Sequence, residues 1–160
     1  MNLVIANRQR SRKLNSRLLK EIVGALFAEL GITDAELGIN LVAAREMALV
    51  NETFLNHTGS TDVITFDHRE IKSKSRRATT IHGELFICVD DAILQAKEFK
   101  TTWQSEVVRY IVHGVLHLLG YDDLKPHLRR TMKREENRLV RVLAKRFALA
   151  QVARTAKISV

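Results

Sequence analysis

Apolar residues recur along this chain at two periods, and the switches between them outline its elements. Leu3–Asn7 reads as a short strand. From Leu14 to Leu30 the period is helical, with Leu18, Leu19, Ile22, Val23, Leu26, Phe27 and Leu30 on one face and Gly31 as the stop. Glu36–Ala44 alternates Leu37, Ile39, Leu41 and Ala43, a strand. Arg45–His57 returns to the helical period, with Met47, Val50, Phe54 and Leu55 as its inner stripe and Gly59 beyond it. Asp62–Phe66 and Gly83–Val89 are rich in Val, Ile and Phe and read as strands. The stretch 68–77 between them is basic and aperiodic, a surface loop. Asp90 or Asp91 can cap a helix reaching about Phe99, and Thr101 with Gln104 has the form of a capping box for the next one. Pro126 suits the first turn of a long final helix with Leu128, Met132, Leu139, Leu143 and Phe147 inside.

Early strands alternate with helices, two strands then run together, and helices follow. That order predicts a single α+β domain with a mixed four-stranded sheet and about five helices. A chain of 160 residues with 46% hydrophobic content can fill one core, expected over 1–153 with a frayed tail at 154–160. The single cysteine, Cys88, lies in an apolar strand, so a buried, inert thiol is expected. The apolar residues before Arg8 are too few for a signal segment, and the run at 110–119 is too short to span a bilayer. These features favour a soluble cytoplasmic protein with no membrane partner.

Within that apolar run stand His113 and His117, one helical turn apart on the same face. Gly120 can end the helix and turn the chain back, bringing Asp123 towards the two rings. The spacing H-x3-H-x2-G-x2-D resembles the zinc plan of metzincin-type sites, with Asp123 where a third histidine is usual. Two imidazoles and a carboxylate suit one Zn²⁺ per chain, with bonds of about 2.0–2.2 Å and a fourth position for water. Val107, Val108, Ile111, Val112, Val115 and Leu116 surround the pair, so the helix is expected to be buried. Gly114 stands where a zinc protease of the H-E-x-x-H type carries its general base, which argues against peptide hydrolysis. The formal charge of +8 points instead to a polyanionic partner.

His113-Gly-x-Leu-His117-Leu-x-Gly-Tyr-Asp122 resembles the signature of the YbeY-type endoribonucleases, the bacterial rRNA maturation factors. Gly59-Ser-Thr61-Asp62-Val63-Ile64-Thr65-Phe66, preceded by Asn51-x-x-Phe54, is similar to a second segment of that family, and Gly83-Glu84-Leu85-Phe86-Ile87 to a third. The resemblance covers nearly the whole chain. It implies a metal-dependent, single-strand-specific endoribonuclease acting on RNA in rRNA maturation and ribosome quality control, with the metal in a cleft between helices and strand ends. Three positions depart from the pattern: Asp123 replaces a histidine, Leu55 an arginine, and Asp67 a proline. Glu84 and Asp122 are the candidate catalytic carboxylates, and Thr61 and Asp62 candidate cleft-wall residues. Lys72, Lys74, Arg76 and Arg77 are the candidate RNA phosphate contacts. The alternative is a ribosome-associated factor with a structural zinc and little nuclease activity, for which His127 would complete a four-ligand site.

Overall fold

The computed structural model describes residues 1–69 and 80–154. Strand β1 (Asn2–Asn7) leads through α1 (Ser16–Leu30) to β2 (Asp34–Val42). Then come α2 (Ala44–Leu55), β3 (Val63–Asp67) and β4 (Thr80–Cys88), followed by α3 (Val89–Phe99), α4 (Trp103–Leu118) and α5 (Pro126–Arg146). A 3₁₀ turn spans Leu149–Val152. The α+β class, the four strands and the five α-helices are those expected. Of the expected frayed tail only Arg154 lies within the described residues, and 155–160 lie outside them.

The sheet order is β1-β2-β4-β3. β2 pairs in parallel with both β1 and β4, while β3 runs antiparallel to β4, so the sheet is mixed and β3 forms an edge. Side-chain alternation gives the sheet two unlike faces. On one, Ile39, Leu41, Leu85 and Ile87 are fully buried against Leu19, Val23 and Phe27 of α1 and Val112 and Leu116 of α4. On the other, α2 covers one corner through Met47 and Val50, which pack with Ile64, Phe66 and Phe86. Elsewhere that face carries the polar residues Glu36, His82 and Glu84, beside an exposed Val4 from β1. Cys88 is buried, and burial pushes its thiol up.

Several element ends differ from expectation, each for a local reason. α1 starts after Asn15, whose side chain accepts from Leu18 N at 3.1 Å, while Leu14 bridges to Ala153. Asp90 caps α2 rather than α3, since its Oδ2 accepts from Ala44 N at 2.7 Å. That interaction starts α2 at Ala44 and ends β2 at Val42. Thr102, not Thr101, caps α4 by accepting from Ser105 N at 3.2 Å. Phe54 and Leu55 are 65% and 43% exposed, outside the expected inner stripe. The inward face of α2 ends at Asn51, which donates to Gly59 O at 2.9 Å and draws the following loop in. Among the described residues no helix is long and apolar enough to cross a membrane.

Candidate metal centre

α4 is apolar on nearly every side and runs through the core against α3, α5 and the sheet. It ends in a tight reversal. Gly120 takes φ 100°, Gly120 N donates to His117 O at 3.0 Å, and Tyr121 N donates to Leu116 O at 3.0 Å. This is the paired hydrogen bonding of a Schellman turn, which needs a residue tolerant of positive φ at the glycine position. The reversal returns the chain alongside the helix, and Asp123 Oδ2 comes to 3.7 Å from His117 Nε2. One ligand atom each from His113, His117 and Asp123 lies within 4.8 Å of the others.

The ring nitrogens are sorted by their partners. His113 Nδ1 is 2.8 Å from Glu136 Oε1, and His117 Nδ1 is 3.1 Å from the Tyr121 carbonyl. Both partners only accept, so each Nδ1 carries the proton and each Nε2 of a neutral ring presents a lone pair. The two Nε2 atoms face each other at 3.1 Å. Two nitrogens bound at about 2.0–2.1 Å to one tetrahedral ion stand roughly 3.3 Å apart, so the rings already hold ligand spacing. Burial, and then the neighbouring His113, lower the pKa of His117, which favours the neutral ring that a metal requires. The nitrogen and carboxylate donors suit zinc, and the three together leave room for a water.

Glu136 organises the surroundings. It is buried on α5, and its Oε2 accepts from Arg109 at 2.7 Å and Lys133 at 2.9 Å while Oε1 holds His113. Burial alone would raise its pKa. The hydrogen bonds from His113, Lys133 and Arg109 outweigh that and hold it down at about 2, a firm carboxylate. A carboxylate behind a ligating histidine fixes the ring's tautomer and orientation. Sequence reasoning did not single out Glu136, which stands among the many charges of the final helix. Its position was the available signal: Met132, Glu136, Leu139 and Leu143 share the buried stripe of α5.

The remaining candidates fall in different places. Glu84 projects from the sheet face opposite α4 and pairs with His68 at 3.2 Å, because strand parity sends Gly83 and Leu85, not Glu84, towards the helix. Asp122 accepts from Leu124 N at 2.9 Å and so tightens the turn carrying Asp123. His127 is exposed and outside the three-residue group. Among the described residues, Asp62 lines two cavities that open on the site: one of about 260 Å³ towards α5, and one of about 720 Å³ along β3 that also includes Leu55 and Leu124. Thr61 Oγ1 contacts Asp62 Oδ1 at 3.4 Å. Asp67 forms a forked pair with Arg69, at 3.1 and 2.8 Å, and Arg69 also donates to the Leu118 carbonyl at 2.9 Å, tying β3 to the end of α4. Lys72, Lys74, Arg76 and Arg77 lie outside the described residues.

Fold and site together define an α+β domain with a two-histidine, one-carboxylate cluster carried by a buried helix and the turn after it, beside two clefts. The Endoribonuclease YbeY family model matches residues 4–144, and the chain belongs to that family. It is 33% identical over 132 residues to Endoribonuclease YbeY of Chlorobium phaeovibrioides, covering 82% of this chain and 84% of that one. It is also 33% identical over 137 residues to Endoribonuclease YbeY of Chlorobium luteolum, covering 86% and 94%. A solution structure from Thermotoga maritima shares the fold, with a TM-score of 0.66 over 99% of each chain at 21% identity.

Proposed function

We propose that this protein is a zinc-dependent endoribonuclease that cuts single-stranded RNA and acts in rRNA maturation and ribosome quality control in the cytoplasm. Family membership supports the RNA-cleaving activity, and the formal charge of +8 suits a polyanionic substrate. The observation that carries the reading is the convergence of two Nε2 atoms at 3.1 Å, with both Nδ1 positions satisfied and Asp123 beside them.

His113, His117 and Asp123 would hold the ion. Zinc held there would supply Lewis acidity at a phosphate oxygen and acidify a water. The protein's own groups prepare the site. Glu136 and the Tyr121 carbonyl accept from the two Nδ1 positions, which turns both Nε2 atoms towards the metal position and fixes the rings in direction. Asp123 contributes negative charge from a turn locked to the helix end. Asp62, on the wall shared by both cavities, is the carboxylate placed to accept a proton from a water in the cleft, in preference to Glu84 or Asp122.

A ribosome-associated factor with a structural zinc is the second reading. It calls for a fourth protein ligand, and the exposed position of His127 outside the triad favours the enzyme instead. Metal analysis tests the proposal. The purified protein should hold close to one zinc, and His113→Ala or His117→Ala should lose it. Full zinc retention in both variants would refute the site.

A further inference from the structure

The cavity of about 260 Å³ beside His113 and Asp123 runs along α4, with α5 as one wall. Three cations line it: Arg109 from α4, and Arg129 and Lys133 one turn apart on α5. Glu136 engages one Nη of Arg109 and one donor of Lys133. An ammonium has three donors, so Lys133, with its side chain 61% exposed, keeps donors for a further acceptor. Arg129 uses its Nε on the Asp123 carbonyl at 3.2 Å, which directs its guanidinium to the rim of the site and leaves its Nη groups for a forked contact. The lining carboxylates Asp62, Asp123 and Glu136 balance these three cations. A divalent ion at the triad therefore leaves the cavity positive, a setting for an anion and above all for phosphate oxygens.

Glu136 and the His113 ring stand between Lys133 and the metal position. Lys133 therefore serves a different phosphate from the one presented to the triad. We propose that Arg129 and Lys133, backed by Arg109, form a subsite for a backbone phosphate of single-stranded RNA next to the reacting one. This assignment rests on the endoribonuclease reading above. It separates two functions on α5, since Arg141 and Lys145 lie further along the helix, exposed and away from the cavity.

The test uses the zinc-loaded full chain and a labelled single-stranded oligonucleotide with 2′-O-methyl riboses, titrated by fluorescence anisotropy across a salt series. Replacing Arg129 and Lys133 together by Gln should lower the slope of log affinity against log salt by about 1.4, or about 0.7 for each contact. The matched pair Arg141→Gln and Lys145→Gln should leave the slope unchanged. If Arg129→Gln costs zinc, as elemental analysis would show, Lys133→Gln alone should still lower the slope by about 0.7. Equal losses in the two pairs, no loss in either, or no binding by the wild type would overturn the subsite. The enzyme reading fails separately, through an absence of zinc-dependent cleavage on unmodified RNA.

Discussion

Glu136 holds three partners at once: His113 through one oxygen, Arg109 and Lys133 through the other. Glu136→Gln keeps the size and one acceptor but loses the charge that fixes the His113 proton. Zinc affinity, read by competition with a chelator, should fall about 10–100-fold. A change within twofold would remove Glu136 from the site. Asp62→Asn should cut RNA cleavage by at least about 100-fold with zinc content intact, as expected for loss of a proton acceptor. Undiminished cleavage would return Asp62 to a purely structural role. At this scale the candidate ligands were legible because one helix and the turn after it carry all three. Glu136 was not, because its partner His113 lies on another helix and only the packing of α5 on α4 joins them. Glu84 looked promising in a motif, but strand parity directs it to the far face.

The elements explain how α4 comes to lie so close to the sheet. A Cβ on Gly114 would stand 2.6 Å from Leu85 Cδ2, at the end of a side chain that can turn. A Cβ on Gly83 would collide with the Phe66 carbonyl, part of the paired edge strand, and come 2.8 Å from Leu118 Cδ2. Gly83→Ala should therefore cost more than about 3 kcal/mol. Gly114→Ala should cost about 1–2 kcal/mol, because helix propensity offsets part of its overlap. At about 2–4 °C per kcal/mol, thermal melting should rank Gly83→Ala clearly below Gly114→Ala. The reverse order would mean that the helix, not the strand, sets the spacing. Hydrophobic period, β-branched content and capping residues together located the five α-helices and four strands, but several ends shifted and the 3₁₀ turn at Leu149–Val152 carried no signal. Neighbouring residues such as Thr101 and Thr102 offer similar caps, and only the fold selects between them. Asp90 shows the same limit, since it caps a helix that begins 46 residues before it.

Across the whole molecule, the class of fold was legible from element order, whereas the strand order β1-β2-β4-β3 was not, because pairing joins segments far apart in sequence. The two clefts meeting at the triad exist only once α5 and β3 are both in place. The basic composition pointed to RNA without saying where it binds, and the cavity on α5 offers a specific place. The central claim is that the triad's metal drives RNA cleavage. The most direct measurement is cleavage of single-stranded RNA by the wild type and by His117→Ala, each with zinc restored after chelation. The account predicts that chelation stops the wild type, that zinc restores it, and that His117→Ala stays inactive at the same zinc level. Cleavage that persists in the chelated protein and in His117→Ala would contradict it.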